Sequence, residues 1–113
     1  MKDSILTSIK KLLGIAEENT DFDLDIVTHI NTVFMVLKQL GVGPEEGFII
    51  EDKKTRWDDY IEDELVFNTI KSYVYYKVKL LFDPPTNSTV MESTNRVVNE
   101  LEWRLNLDSE SEK

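Results

Sequence analysis

The chain has 113 residues, and its 22 acidic against 13 Lys and Arg side chains give a formal net charge of −9. This length suits one domain that buries its own core, and the lack of cysteine excludes disulfides and thiolate metal sites. The acidic balance argues against a surface that grips nucleic-acid phosphates, and no apolar run reaches the roughly 18 residues that a membrane span requires.

The first half of the chain predicts two helices. Apolar residues recur at helical spacing over 3–13 and again over 22–40. The first segment is amphipathic rather than continuously apolar, so we expect a helix of the domain and not a secretory signal. Gly14 is expected to end the first helix in a left-handed conformation, and Asp21 is the expected N-cap of the second. The second helix is apolar on nearly all sides over 33–37, which is typical of a helix covered on more than one side.

Residues 42–56 show the least helical character in the chain. The apolar stretch 48–50 predicts a short strand that pairs with 55–57 in a hairpin, or else an ordered extended loop. A short helical turn is expected at 57–61. Five carboxylates follow closely, and because they lack the ligand spacing of a calcium loop we expect a solvated acidic surface. They are Asp58, Asp59, Glu62, Asp63 and Glu64.

The second half of the chain predicts two further helices. A long apolar stripe runs over 64–82 and stops before Pro84, because proline lacks a backbone N–H and clashes with the preceding turn. The last helix is predicted over 89–105, with Thr89 and Glu92 as a capping box. Its apolar stripe is narrower than those of the other long helices, so we expect it at the periphery of the core.

Together these elements predict an all-α fold, a four-helix core with a short hairpin or extended loop between helices two and three. We expect a single helical domain over 1–107. A disordered acidic tail is predicted over 108–113, where every residue is polar or charged.

The sequence motifs of catalysis are missing. His29 is the only histidine, and with Asp25 it supplies too few ligands for a metal site. No glycine-rich phosphate loop and no serine nucleophile motif occurs. We therefore expect no enzymatic activity, no metal and no cofactor.

The aromatic content favours association with other molecules. The chain has 4 Tyr and 2 Trp, residue types that are enriched at interface hot spots because they combine apolar area with a polar tip. The predicted helices over 22–40 and 64–82 carry apolar residues on more than one face. These faces either pack on other helices of the same chain or pack on neighbouring molecules.

Four short sequence motifs occur in the order of a known family: LLGI at 12–15, DFD at 21–23, VKLLFDPP at 78–85 and LEWRL at 101–105. They close the first helix, open the second, close the long helix and lie in the last. In this arrangement the chain resembles the head–tail connector proteins of tailed bacteriophages, also called adaptor or head-completion proteins. The likeness spans about the whole chain, but the extended segment 47–57 departs from a plain helical core.

The resemblance implies a structural all-α protein without enzymatic activity. About a dozen copies would form a ring below the portal, extend the DNA channel and offer a docking surface to the stopper or tail-completion protein. DNA would pass without specific binding, because a channel wall of like charge repels it. The resemblance also implies assembly in the host cytoplasm, a final place at the head–tail interface of the virion, and no contact with membrane.

Two contact hypotheses are attached to that resemblance. The second apolar faces of the helices over 22–40 and 64–82 would join neighbouring subunits, and the segments 103–113 or 47–57 would contact the portal or stopper. The acidic run 58–64 is the candidate channel or outer surface. The interface candidates are Phe34, Met35, Phe48, Trp57, Tyr73, Tyr76, Trp103 and Arg104.

The acidic composition leaves one other function open. A small acidic protein can imitate the charge of DNA and inhibit or regulate an enzyme that binds nucleic acid. Such an inhibitor would bind its target with an affinity that falls as salt is added.

Overall fold

A computed structural model describes residues 1–111, which fold into α-helices joined by turns and one extended segment. The predicted all-α class is confirmed, because no strand forms within this range. None of the helices in the described range is long and apolar enough to cross a membrane. The helices are α1 (Ile5–Leu12), α2 (Asp23–Gln39), α3 (Trp57–Tyr60), α4 (Glu64–Phe82) and α5 (Ser88–Ser111).

Helix α1 is capped at both ends by its own neighbours in sequence. The Ser4 side chain accepts a hydrogen bond from the Thr7 N–H at 3.1 Å. Gly14 follows the helix with a φ of +81°, a conformation that only glycine adopts at low cost, and this confirms the predicted helix end. The chain then turns, and the Ile15 N–H donates to the Lys10 carbonyl at 2.9 Å.

The connector from α1 to α2 is held by a buried lysine. Lys10 is 2% exposed, and its Nζ donates to the carbonyls of Glu17 at 3.0 Å and Asn19 at 2.7 Å. The same Nζ forms an ion pair with Asp23 Oδ1 at 2.8 Å. Because Asp23 is the first residue of α2, this one side chain fixes the start of α2 against α1.

The N-terminus of α2 differs from the prediction. The predicted N-cap Asp21 is wrong, since Phe22 stands at that position and makes no side-chain cap. The Asp21 backbone N–H instead donates to Asn19 Oδ1 at 3.1 Å, so Asp21 belongs to the turn of the connector. Lys10 orders this end of the helix in place of a cap.

Residues 41–56 form an extended loop, and the alternative of a hairpin is wrong. The buried Ile50 pairs with the Asn31 side chain of α2: its N–H donates to Oδ1 at 2.8 Å, and Nδ2 donates to its carbonyl at 2.9 Å. At the far end an isolated antiparallel bridge joins Arg56 to Ser4. Both segments that a hairpin would have paired with each other thus find partners for their backbone groups outside the loop. The predicted helical turn that follows is confirmed as α3.

Helix α5 begins at a cap that the sequence reading missed. Asn87 Oδ1 accepts the backbone N–H groups of Thr89 at 2.8 Å and Val90 at 3.2 Å. This is the hydrogen bonding of an N-cap residue. The predicted capping box of Thr89 and Glu92 is therefore wrong, because the helix begins at Ser88 and Thr89 lies inside its first turn.

Helix α5 also runs further than predicted. It continues through Ser111, so positions 108–111 of the predicted disordered tail are helical, and positions 112–113 lie outside the described residues. Ser109 Oγ donates to the Gly41 carbonyl at 3.0 Å, which ties the last turns of α5 to the end of α2. A contact so distant in sequence leaves no local pattern, and the polar composition alone is typical of a frayed end.

Helix α4 lies at the centre of the core. Helices α2 and α5 both pack against it, and α1 packs on α2 and α4. The side chains between them form one apolar cluster, whose removal from water is the main driving force of folding. Its largest fully buried members are Trp57, Tyr73, Phe34, Ile5, Ile9, Ile26, Ile30, Leu37, Ile50, Ile70, Leu105 and Val33.

Candidate assembly surfaces

Three of the predicted interface residues lie inside the subunit. Phe34 is 2% exposed and stacks on Tyr60, with ring centroids 4.5 Å apart. Trp57 is fully buried, and its indole N–H donates to Ser8 Oγ at 2.8 Å. Tyr73 is also fully buried, between α4 and α5. In this conformation Phe34, Trp57 and Tyr73 offer no surface to another molecule, because helices of the same chain cover them.

Tyr73 links the central helix to the last one. Its hydroxyl donates to Glu102 Oε1 at 2.8 Å, and Lys77 Nζ lies 3.9 Å from the same oxygen. Burial raises the pKa of Tyr73 above its ordinary value, and the Glu102 carboxylate raises this pKa further, because both disfavour the phenolate. Tyr73 is therefore a neutral hydrogen-bond donor at physiological pH.

Tyr60 closes the core under the extended loop. Its ring packs on Phe34 and on Phe48, whose centroid is 4.9 Å away, and burial raises the pKa of its hydroxyl. The Oη atom has no hydrogen-bond partner among residues 1–111. Gly43 passes over this ring with a φ of +90°, and a Cβ there would lie 2.9 Å from Oη. Only glycine lets the loop approach so closely.

The remaining candidate on α4, Tyr76, is half-buried. Its ring lies beside that of Tyr75, with centroids 5.0 Å apart. Part of this side chain is open to a neighbour, whereas most of the apolar surface of α4 is used within the subunit.

An apolar groove runs between α2 and the extended loop. Met35 is 58% exposed and Ile49 is 68% exposed, and the half-buried Phe48 lies between α2 and the core. The groove has a volume of about 450 Å³, and Lys38 and Glu46 provide its charged groups. Its shape depends on the Asn31–Ile50 pair, which fixes the loop beside α2. We call it the loop groove.

A second exposed apolar surface lies on α5. Trp103 is 65% exposed and Leu107, one turn later, is 48% exposed. They lie on the side of the helix away from the buried Val98 and Leu105, so their apolar area is not used in the core. Arg104 lies beside them and pairs with Glu100, at 2.7 Å. We call this the outer α5 face.

The predicted acidic run forms an edge at α3 and the start of α4, which we call the acidic edge. Two of its members serve the backbone: Asp59 accepts the Arg56 N–H at 2.9 Å and Asp63 accepts the Leu65 N–H at 2.9 Å. Asp58 lies 3.5 Å from the Arg56 guanidinium. Glu62 and Glu64 are exposed.

The structure also assembles a basic cleft that the sequence reading missed. It lies between α1, the second half of the extended loop and α4, with a volume of about 1020 Å³. The lysines come from distant parts of the chain, so no local run of positive charge could have revealed them. The cleft is lined by Lys2, Lys11, Lys53, Lys54 and Lys71, together with Asp3 and Glu17.

The described residues contain no cluster that fits a metal ion. Within that part of the chain no group of three or more His, Asp or Glu side chains converges. The His29 ring packs beside Phe82, with centroids 6.3 Å apart. The candidate sites on the described residues are surfaces: two apolar, one acidic and one basic.

The chain was compared with known families, curated proteins and solved structures. Residues 5–112 match the family described as Phage connector protein. No curated protein and no solved structure matches the chain. The match covers all the helices of the described range, and it agrees with the all-α architecture. The chain therefore belongs to the phage connector protein family.

Proposed function

We propose that this chain is a head–tail connector, of which about a dozen copies form a ring below the portal. The ring extends the channel through which DNA passes and provides the docking surface for a stopper or tail-completion protein. Membership of the family supports the coarser part of this function, a structural role in the virion together with other head and tail proteins. Ring formation and the contacts with the portal and the stopper go beyond family membership, and we propose them here.

The observation that carries the proposal is the presence of two exposed apolar surfaces on different helices. The loop groove lies on α2 and the outer α5 face lies on α5, and α4 separates these two helices. A connector needs contacts on two sides, since it joins the portal above to the next protein below. We therefore assign these two surfaces to the proteins above and below the ring.

This assignment modifies the earlier contact hypotheses. Because Phe34 and Tyr73 are buried, Met35 becomes the main anchor of the α2 contact, with Ile49 beside it. Trp103 anchors the other contact, in keeping with the frequency of Trp at interface hot spots. The segments 47–57 and 103–113 thus keep their proposed place at the portal and stopper.

The net charge of −9 suits a channel component. Each copy adds its negative field to the ring, and like charge weakens the adsorption of DNA on the wall. Screening limits this repulsion to about 8 Å at physiological salt, so it acts only where the wall comes close to the duplex.

The proposal is tested on capsids that carry the portal but lack this chain. We expect wild-type protein to bind them, whereas Trp103→Asp removes binding to the next protein or to the portal. Met35→Asp with Ile49→Asp removes whichever of these two contacts, with the portal or with the next protein, Trp103 does not make. Ser93→Asp, an exposed position elsewhere on α5, serves as the matched control and should bind as wild type does. Full binding and full downstream docking by both surface variants would contradict the assignment.

A further inference from the structure

The lysines of the basic cleft form no ion pair with the described residues, although Lys71 Nζ lies 5.9 Å from the centre of the Phe67 ring. In the described part of the chain no carboxylate lies within 4.0 Å of the ammonium groups of Lys2, Lys11, Lys53, Lys54 or Lys71. By contrast Lys10, Lys77 and Lys79 each form an ion pair. The chain has 22 acidic residues, so carboxylates are not scarce. Half of its ten lysines nevertheless line one cleft without a carboxylate partner among residues 1–111.

The acidic edge carries the opposite charge to the basic cleft. Glu62 and Glu64 are exposed, and neither forms an ion pair among the described residues. Asp59 and Asp63 are exposed as well, and their hydrogen bonds to backbone N–H groups leave lone pairs free. One chain thus presents a lysine cleft and a carboxylate edge that adjoin at Lys2 and Asp3, and across residues 1–111 no ion pair joins the two surfaces.

We propose that the basic cleft of one copy binds the acidic edge of the next copy, and that this is the lateral contact of the ring. This inference rests on the proposed function. The contact that we propose is head-to-tail, which is the type of contact that closes a ring when the rotation between copies fits, whereas a twofold pairing of cleft on edge would stop at a dimer and would contradict it. It leaves the loop groove and the outer α5 face to the proteins above and below.

The composition of the cleft favours a polypeptide over DNA as its occupant. Asp3 and Glu17 lie in its wall, where they would repel phosphates, and Leu12, which is 45% exposed, offers apolar area. The whole chain also carries −9, a field that opposes the approach of a duplex. A carboxylate edge on a folded subunit has a lower charge density than DNA, so the wall carboxylates and the net charge oppose it less than they oppose a duplex.

A charge exchange tests this contact directly. Lys53→Glu with Lys54→Glu reverses part of the cleft, and Glu62→Lys with Glu64→Lys reverses part of the edge. All four side chains are exposed and none of them is an N-cap, but Glu64 lies in the first turn of α4, so circular dichroism checks that the edge variant keeps its helix content. Arg96→Glu is the control, because it reverses an exposed charge on α5, outside both the cleft and the edge.

The readout is the number of copies bound per portal-bearing capsid. We expect each double variant to reduce occupancy on the order of tenfold, since attractive pairs become repulsive. The chain that carries all four substitutions restores the complementarity between copies, and its occupancy should return to the wild-type level. The Arg96 control should bind as wild type does.

Three results would overturn the inference. Unchanged occupancy of the double variants would show that the charges play no part in the contact. Failure of the fourfold variant to recover would show that the cleft and edge do not face each other. Binding of duplex DNA that is lost in the Lys53 and Lys54 variant would assign the cleft to phosphates. If the wild-type chain itself never bound the capsids, the proposed function would fail, and the lateral contact with it.

Discussion

The side chain of Asn31 replaces a neighbouring strand for Ile50. Its amide accepts the Ile50 N–H at 2.8 Å and donates to the Ile50 carbonyl at 2.9 Å. Both backbone groups of a buried residue are satisfied by one side chain of α2, so the extended loop needs no sheet. The same pair of hydrogen bonds positions Ile49 beside Met35. The Asn31–Ile50 interaction therefore determines the shape of the loop groove.

Asn31→Ala should therefore loosen the loop. We expect a loss of about 2–3 kcal/mol in the free energy of unfolding, because two buried backbone groups lose their partner. Urea denaturation measures the loss, and faster hydrogen exchange at the Ile50 amide locates it. Asn99→Ala, at an exposed position of α5, should change stability by less than about 0.5 kcal/mol. Equal effects of the two substitutions would contradict the role given to Asn31.

Lys10 should be far more important to stability than its neighbour Lys11. Lys10→Met leaves the Asp23 carboxylate and two carbonyls without their partner, at a cost of about 3 kcal/mol. Lys11→Met removes an exposed charge from the same helix and should cost less than about 0.5 kcal/mol. Thermal or urea unfolding compares the two variants. A Lys10 variant as stable as the Lys11 variant would show that the connector is not held by this lysine.

The two tryptophans should behave oppositely. Trp57→Phe removes a buried hydrogen bond to Ser8 and leaves a void, at a cost of about 1–3 kcal/mol, whereas Trp103→Phe should leave stability nearly unchanged. Each variant retains one tryptophan, so acrylamide quenching of fluorescence reports its exposure. We expect strong quenching where Trp103 remains and weak quenching where Trp57 remains. Weak quenching where Trp103 remains and strong quenching where Trp57 remains would contradict the burial of Trp57.

Stability should fall in alkaline solution because of Tyr60 and Tyr73. Burial raises both pKa values above the ordinary 10.0, so above about pH 10 the unfolded chain releases protons that the folded chain retains. The unfolded state then binds fewer protons, and the free energy of unfolding declines as pH rises. Below about pH 10 the two tyrosines contribute no pH dependence.

The variant Tyr60→Phe with Tyr73→Phe isolates this effect. Its free energy of unfolding should decline less steeply above pH 10 than that of the wild type, as measured by urea unfolding at successive pH values. Tyr60→Phe alone should be neutral or slightly stabilising at pH 7, because it removes a buried hydroxyl without a partner in the described residues. Parallel pH profiles of the double variant and wild type would contradict the assignment.

Much of the architecture follows from local pattern. The apolar periodicity predicts the four longer helices, and Gly14 marks a helix end because its left-handed backbone is a local property. The alternative of an ordered loop at 42–56 is correct, yet its partners Asn31 and Ser4 lie far away in sequence. Pattern alone cannot choose between a hairpin and a loop when the deciding hydrogen bonds are not local.

The candidate surfaces are less predictable for a related reason. Apolar stripes on α2 and α4 are equally consistent with a wide core and with an interface, and burial assigns Phe34 and Tyr73 to the core. Met35 and Trp103 remain exposed, as an interface requires. The basic cleft is invisible in the sequence, because its lysines come together only when α1, the loop and α4 are packed.

The central claim is that copies of this chain form a ring directly below the portal. Electron cryomicroscopy of the portal vertex, with this chain carrying a visible label, tests it most directly. The account predicts a closed ring of about a dozen labelled copies between the portal and the next tail-proximal protein. Virions without the label, or labelled copies away from the portal vertex, would contradict it.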